Sequence, residues 1–339
     1  MEHWIKSFYF FALVMLLVLG IRQRNSKTEQ LSMLIGHDDD LHLQTGNCDF
    51  FRGIWVRDDS YPLYNSTSCP VIMKEFDCQK NGRPDIAYLK FRWKPHRCKL
   101  PRFNGRDFLR RFKGKRILFV GDSLSLNQWK SLTCMLHVSV PQTNYTLKRN
   151  GALSTFTLQE YCISVALSRN GFLVDLVKEK MGAVLKLDSI NNGNAWRGYD
   201  MLIFNTWHWW LHTGRKQPYC EHDEQMKKKI LINNFWWCRS SGKDWNSSKS
   251  TRVPTSTYPK GSPPAVAVVK SVLKKISTLV ILLDVTTLSQ LRKDGHPSIY
   301  GFGGKRGNDC SHWCLPGVPD TWNQLLYATL ITLRNSKNN

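Results

Sequence analysis

The chain of 339 residues is 42% hydrophobic and 12% aromatic, a composition that excludes an intrinsically disordered protein and suits one large domain with an N-terminal extension. Its 48 lysines and arginines against 26 acidic residues give a formal net charge of +22, which favours an acidic partner or a solvated basic face. No zinc-finger, RNA-recognition or helix-turn-helix pattern accompanies this charge, so a nucleic acid is not the expected partner.

The first 21 residues predict a hydrophobic targeting segment. An apolar run over residues 8–21 follows Lys6, and basic residues follow the run. It is short for a membrane span of about 20 residues, but apolar residues before Lys6 extend it to a marginal span. Because no small-x-small cleavage pattern follows, residues 1–21 favour a retained signal-anchor with one transmembrane helix over a cleaved signal peptide. Residues 22–47 are polar and predict a flexible stem.

Ten cysteines and three N-glycosylation sequons point to folding in the oxidising secretory pathway. The sequon asparagines are Asn65, Asn144 and Asn246. Zinc is the other common use of cysteine, but no two cysteines have Cys-x-x-Cys spacing, so no metal is expected. Spacing alone does not decide which cysteines form disulfide bonds.

Two structural regions are predicted after the stem. Residues 48–105 contain four of the cysteines together with turn signals such as Asn81-Gly82, which predicts a loop-rich subdomain held by disulfide bonds. Residues 106–339 carry alternating strand and helix patterns and form the predicted catalytic domain.

The most informative local pattern is Gly121-Asp122-Ser123. It follows residues 116–120, which predict a buried strand, and precedes residues 124–136, whose apolar residues have helical spacing. A serine on a tight turn between strand and helix projects its hydroxyl from the sheet edge, where N–H groups of the helix start face developing negative charge. We therefore predict Ser123 as a nucleophile and Asp122 as the cap of the following helix.

The remaining patterns complete an α/β fold. Further strands are predicted at residues 161–167, 172–176, 201–204 and 279–284, and further helices at residues 265–275 and 320–332. This alternation predicts a three-layer α/β/α sandwich with a mainly parallel sheet, as in esterases. Sites in such sheets lie at the carboxyl ends of the strands, where Ser123 and Asn205 both fall.

Aromatic residues follow Asn205 at the same predicted sheet edge, namely Trp207, Trp209 and Trp210. Tryptophan faces stack on sugar rings, so this cluster predicts a glycan groove, although some of the rings are expected to belong to the core. Basic residues in 211–216, including Arg215, suit the carboxylates of uronic acids.

A candidate general base lies near the other end of the chain. Asp309 and His312 are three residues apart in a loop bounded by glycine and proline. Ser…Asp…His is a chain order that catalytic triads use. We predict that His312 takes the proton of Ser123 and that Asp309 orients His312.

Seven motifs run in order along the chain: CDFFRGIW at 48–55, FDCQKNGRPD at 76–85, LKFRWKP at 89–95, LFVGDSLS at 118–125, FNTWHWW at 204–210, KDGHPS at 293–298 and DCSHWCLPGVPDTWN at 309–323. Through them the chain resembles the plant trichome birefringence-like family of polysaccharide O-acetyltransferases. The resemblance implies that an acetyl donor acylates Ser123 and that a xylan, mannan or pectin hydroxyl then receives the acetyl group, with no bound cofactor. It also implies a Golgi type II membrane protein with a lumenal catalytic domain, the alternative being secretion to the cell wall.

The resemblance extends to oxyanion donors and disulfides. Gly-Asp-Ser esterases use an asparagine after a central strand as an oxyanion donor, which makes Asn205 a candidate, with the backbone of Gly151 as a second. The implied disulfide pairs are Cys48–Cys98, Cys69–Cys134 and Cys78–Cys314. The family's partner of Cys310 is missing here, which leaves Cys310 free or paired with Cys220 or Cys238, and Cys162 has no assigned partner.

One departure from the family pattern bears on activity. Residues 219–243 replace a longer family segment that contains a helix and a strand, so a strand beside the active site is expected to be missing. Two alternatives therefore stand beside the transferase. One is an acetylesterase with the same triad and water as the acceptor, and the other is an inactive glycan-binding protein.

Overall fold

The structure is a computed structural model that describes residues 18–21, 48–180, 182–205, 209, 219–220, 254, 264–301 and 308–335. The strands of this part are β1 Val18–Ile21, β2 Gly53–Arg57, β3 Phe91–Pro95, β4 Arg116–Gly121, β5 Tyr145–Asn150, β6 Leu153–Leu158, β7 Ile163–Arg169, β8 Asp175–Glu179, β9 Gly182–Lys186, β10 Met201–Asn205 and β11 Tyr219–Cys220. The α-helices are α1 Gly105–Arg111, α2 Ser123–Ser139, α3 Pro264–Leu273, α4 Thr286–Gln290 and α5 Val318–Asn335.

A central sheet of six strands has the order β1-β10-β4-β7-β6-β5. Strands β10, β4 and β7 are parallel, whereas β1, β6 and β5 each run antiparallel to a neighbour. The predicted α/β fold with a central sheet is confirmed, but the sheet is mixed rather than mainly parallel. The connections from β5 to β6 and from β6 to β7 are too short for a crossover, so these strands pair as antiparallel neighbours.

Side chains of the central strands alternate between two apolar clusters. In β4, Ile117 and Phe119 belong to the main core, which includes residues of α2 and α5. Leu118 and Val120 face a second cluster on the other side of the sheet. Phe204 of β10 packs against that second cluster and against residues of α3. Helices α2 and α5 therefore lie on one face of the sheet, and α3 reaches the other face at Phe204.

The N-terminal hydrophobic segment and residues 279–284 differ from prediction. Val18–Ile21, the end of the predicted signal-anchor, is strand β1 and pairs with β10. Residues 279–284 do not form a strand; Leu282 alone makes a β-bridge. The physical reason is that the edge of β10 needs one hydrogen-bonding partner and β1 supplies it. Ile281 and Leu283 still pack in the main core. Among the helices described, none combines the length and apolarity needed to cross a membrane.

Local hydrogen bonds explain why two other strands start later than predicted. A short 3-10 helix, Gln159–Tyr161, precedes β7. The side chain of Asn170 accepts hydrogen bonds from the N–H groups of Phe172 and Leu173, which turns the chain ahead of β8. Strands β8 and β9 form a small separate sheet with β11, a strand that lies inside the segment predicted to be shortened.

The cysteine-rich subdomain, residues 48–105, packs on the α/β region that follows it through disulfides and buried polar contacts. The structure contains the disulfides Cys48–Cys98, Cys69–Cys134 and Cys78–Cys314, the three pairs that the resemblance implies. Cys69–Cys134 ties the subdomain to α2, and Cys78–Cys314 ties it to the segment that precedes α5. The antiparallel pair β2–β3 also contacts the α/β region, since the indole N–H of Trp55 donates to the Leu288 carbonyl at 2.8 Å.

Candidate active site

The turn between β4 and α2 requires glycine at its first position. A Cβ atom on Gly121 would lie 1.8 Å from the carbonyl oxygen of Asn205, the last residue of β10. Gly121 and Asn205 are register partners, so the ends of the two strands meet directly. The chain then turns into α2, whose first residue is the half-buried Ser123. The start of this 17-residue helix favours negative charge beside Ser123.

Asp122 caps α2, as predicted, and it is buried beside the proposed nucleophile. Its Oδ1 atom accepts a hydrogen bond from the Leu124 N–H at 2.8 Å. Its Oδ2 atom is buried and has no hydrogen-bond partner among the described residues. Burial raises the pKa of Asp122 to about 6, although the Leu124 hydrogen bond and the charge of His312 act in the opposite direction.

Asp309 and His312 make a direct hydrogen bond. The Oδ2 atom of Asp309 lies 2.8 Å from Nδ1 of His312, and the Oδ1 atom accepts hydrogen bonds from the N–H groups of Ser311 and His312. Burial would raise the pKa of Asp309, but its hydrogen bonds and the charge of His312 lower it overall. The carboxylate is therefore ionised at neutral pH and holds the proton of His312 on Nδ1, which leaves Nε2 to accept a proton.

A buried asparagine joins the His312 loop to α2. Asn127 lies one helical turn after Ser123, and its side chain makes two hydrogen bonds with the backbone of Trp313. Its Oδ1 atom accepts from the Trp313 N–H at 2.7 Å, and its Nδ2 atom donates to the Trp313 carbonyl at 3.1 Å. Because Trp313 follows His312 directly, these bonds fix His312 relative to the helix that starts at Ser123.

Three further contacts hold the same loop from other sides. His296 lies 2.7 Å from the carbonyl oxygen of His312 through Nδ1, and its ring stacks on Trp313 with ring centres 4.0 Å apart. The ring of Phe76, from the cysteine-rich subdomain, packs 5.6 Å from the ring of His312. The disulfide Cys78–Cys314 joins the end of the loop to the cysteine-rich subdomain.

The sequence analysis missed Asn127 and His296 as parts of the site, although a polar residue one helical turn after the proposed nucleophile was a usable signal.

The two candidate oxyanion donors lie at different places. Asn205 is next to Gly121 and Asp122, with its carbonyl accepting from the Ser125 hydroxyl at 3.1 Å. Gly151 lies in the turn between β5 and β6, two strands away from β4. The loop after β7, the direct neighbour of β4, contains Gly171. The oxyanion roles of Asn205 and Gly151 stay predictions.

Of the predicted sugar-binding residues, Trp209 is described and is 37% exposed. Trp207, Trp210 and Arg215 lie outside the described residues. Both described sequon asparagines, Asn65 and Asn144, are exposed, whereas Asn246 lies outside the described part.

Two of the unassigned cysteines have a described state. Cys162 is free and exposed. Cys310 is disulfide-bonded, and the side chains of Cys220 and Cys238, its predicted partners, lie outside the described residues. Within the described ranges, no group of three or more histidine, cysteine or acidic residues is arranged to hold a metal ion.

The arrangement suits covalent acyl transfer. A serine stands at the start of a long helix, and an ionised carboxylate orients a histidine whose loop is bonded to that helix. These are the parts that a nucleophile, its base and the orienting group of that base require.

Comparison with known proteins gives matches over both regions. A family model described as "GDSL/SGNH-like Acyl-Esterase family found in Pmr5 and Cas1p" matches residues 100–236 and 220–329, and one described as "PMR5 N terminal Domain" matches residues 46–99. Protein trichome birefringence-like 41 of Arabidopsis thaliana is 49% identical over 330 residues, covering 86% of this chain and 92% of the relative. Protein trichome birefringence-like 39 is 48% identical over 86% of this chain and 89% of the relative. Protein trichome birefringence is 35% identical over 85% of this chain and 57% of its own length.

Proposed function

Because this chain belongs to the trichome birefringence-like family, we propose that it transfers acetyl groups to hydroxyls of a plant cell-wall polysaccharide of the xylan, mannan or pectin type. The observation that carries the proposal is the hydrogen bond of 2.8 Å between Asp309 and His312, in a loop that Asn127 holds on α2. Ser123 is the proposed nucleophile at the first residue of that helix.

In the first half of the reaction, the Ser123 oxygen attacks the carbonyl carbon of an acetyl donor. The hydroxyl proton passes to Nε2 of His312, while Asp309 stabilises the imidazolium through Nδ1. The start of α2 and the side chain of Asn205 are the proposed stabilisers of the negative oxygen. When the bond to the donor breaks, the leaving group takes the proton from His312, and the acetyl group remains on Ser123.

In the second half, a sugar hydroxyl replaces the donor. Its proton moves to His312 as its oxygen attacks the acetyl carbon, and the proton then returns to the Ser123 oxygen as the ester bond to serine breaks. Transfer requires that the sugar outcompetes water for the acyl-enzyme. If water reaches Ser123 first, the same residues act as an acetylesterase, which makes hydrolysis the second candidate function.

For the cellular site we propose the lumen of the Golgi apparatus. Three disulfides need an oxidising compartment to form, and two sequon asparagines are exposed to the enzymes of the secretory pathway. Endoglycosidase treatment of the protein from plant membranes, together with co-fractionation with Golgi markers, tests this location. Protein without N-glycans in a cytosolic fraction would contradict it.

The decisive experiment incubates the protein with a chromogenic acetyl ester and with xylan, mannan or pectin oligosaccharides, followed by mass spectrometry of the oligosaccharides. Acetylated products establish transfer, and free acetate without acetylated products establishes hydrolysis. Absence of both products would refute an acyl-transfer function. Ser123→Ala is expected to abolish both products without unfolding the protein. Ser139→Ala, the same change at the other end of α2, serves as the matched control and should retain them.

A further inference from the structure

An exposed arginine stands beside the proposed nucleophile. Arg169 is the last residue of β7 and the register partner of Gly121 in β4. Val165 and Leu167, at alternate positions of β7, belong to the core on the α2 side of the sheet. Since side chains alternate along a strand, Arg169 also lies on the α2 side, just beyond the core and next to the turn that carries Ser123.

The positive charge of Arg169 is not neutralised in the described part of the protein. Its guanidinium makes no ion pair or side-chain hydrogen bond with a described residue, and the residue is exposed. Burial raises the pKa of Asp122, and the charge of Arg169 opposes that rise, so the guanidinium is close enough to act on the carboxyl next to Ser123.

The loop that follows Arg169 is firmly attached to the same turn. The N–H of Asn170 donates to the Gly121 carbonyl at 3.0 Å. The Asn170 side chain accepts from the N–H groups of Phe172 and Leu173 at 3.2 and 2.9 Å, which closes the loop on itself. These hydrogen bonds give the loop after β7 a defined position beside Ser123.

An exposed tryptophan covers this loop. The ring of Trp209 is so close to Gly171 that a Cβ atom there would lie 3.0 Å from the Cδ1 atom of the indole. The Trp209 and Phe172 rings have centres 6.4 Å apart, and 37% of Trp209 remains exposed. The short loop therefore carries a positive charge at its start and an exposed aromatic ring over its middle.

From this juxtaposition we propose that Arg169 and Trp209 form a subsite for a uronic acid unit of the acceptor glycan. The indole packs on the C–H face of the sugar, and the guanidinium binds the sugar carboxylate. The inference rests on the proposed function, because it takes the glycan to be the acceptor at Ser123. It narrows the substrate class from cell-wall polysaccharides in general to those with carboxylate-bearing sugars.

The alternative role for Arg169, direct stabilisation of the oxyanion, fits the structure less well. Oxyanion donors act through a fixed position, which is supplied by backbone groups or by side chains that are themselves held. The exposed guanidinium has no such support in the described residues. A carboxylate on a flexible glycan does not need that precision, and the net charge of +22 attracts an anionic polymer over longer distances.

The test measures binding by calorimetry, which does not depend on turnover. The probes are a galacturonic acid oligosaccharide and the same oligosaccharide after its carboxylates have been reduced to alcohols. Arg169→Gln should weaken binding of the acidic oligosaccharide by roughly fivefold to tenfold, the range expected for a charge-assisted contact at an exposed site. It should leave binding of the reduced oligosaccharide within twofold. Arg169→Lys should lose less, and Trp209→Ala should weaken both.

Arg52→Gln is the matched control, because it removes the same charge from an exposed position of the cysteine-rich subdomain and should change neither dissociation constant. Thermal unfolding of each variant confirms that the fold is kept. Equal losses of affinity for the acidic oligosaccharide in Arg52→Gln and Arg169→Gln would overturn the proposal. It would also be overturned if the wild-type protein binds the reduced oligosaccharide as tightly as the acidic one, or binds neither. Selective binding of the acidic probe by protein without acyl-transfer activity would support the subsite while the proposed function fails.

Discussion

Replacing Asn127 with alanine removes both hydrogen bonds between α2 and the backbone of Trp313. Asn127 is fully buried, and so are the Trp313 groups that it binds. Leaving a buried polar group unpaired costs about 1–3 kcal/mol. Two such groups therefore give a strain of about 2–6 kcal/mol if the loop keeps its position.

The loop can lower this strain by moving towards water, and His312 then moves with it. A displacement of about 1 Å in a catalytic group reduces turnover roughly 100-fold. We therefore expect Asn127→Ala to lower kcat by roughly that factor while the protein stays folded. The assay is hydrolysis of a chromogenic acetyl ester, at a temperature well below the unfolding midpoint of every variant.

Asn323→Ala is the matched control. Asn323 is also fully buried and also makes two side-chain hydrogen bonds to α2, at Gln128 and Ser131. Its removal destabilises the packing of α5 on α2 without touching the His312 loop, so kcat should stay within about threefold of wild type. If both variants lose turnover equally, or if Asn127→Ala keeps wild-type turnover, the two hydrogen bonds of Asn127 do not position His312.

Three further predictions follow from the described contacts. Asp309→Asn removes the charge that orients His312 but leaves His312 itself in place. We expect kcat to fall by roughly a thousandfold and still to exceed the kcat of Ser123→Ala. Equal kcat values for the two variants would contradict this role of Asp309. Burial raises the pKa of Asp320 to about 7. Above about pH 4 the unfolded chain loses a proton that the folded protein keeps. The free energy of unfolding should therefore fall between pH 4 and pH 7 by on the order of 1 kcal/mol per pH unit. Asp320→Asn should remove that slope from melting curves taken across this range, and an identical slope in both proteins would contradict the burial argument. Cys78–Cys314 closes a loop of 236 residues, which stabilises the fold by about 5.5 kcal/mol on the chain-entropy account. Its reduction should abolish ester hydrolysis before the central sheet melts by circular dichroism. Activity that persists until the sheet melts would show that the disulfide does not hold the His312 loop.

The parts that local sequence predicts well are those whose geometry is made by neighbours in the chain. Gly121-Asp122-Ser123 and its flanking residues predict a strand, a turn and a capped helix, and β4 and α2 form this unit over residues 116–139. Asp309 and His312 are three residues apart, so one short loop brings them into contact. In both cases the signal lies in adjacent residues, and the structure has the predicted backbone form.

Long-range pairing accounts for the parts that sequence did not predict. Asn127 and Trp313 are 186 residues apart, and nothing near Asn127 indicates its partner. The sequence proposes Gly151 as a backbone oxyanion donor, and that role stays a prediction. That Gly171 follows the strand next to β4 depends on the order of strands in the sheet, which the residues around neither glycine encode. Side chains of residues 280–283 alternate between two apolar clusters as those of a strand would, but which segment pairs with β10 depends on competition with residues 18–21.

The pairing of β1 with β10 has a practical consequence for recombinant work. Residues 18–21 end a segment that a choice of cloning boundary can remove, and they pair with four of the five residues of β10. A preparation that starts at residue 22 would display a bare strand edge leading to Asn205, beside the proposed nucleophile. Bare edges promote association between copies, so light scattering on the shorter and longer preparations should precede any comparison of their kinetics. A low rate measured on an aggregated short form would reflect the loss of β1 rather than the chemistry of Ser123.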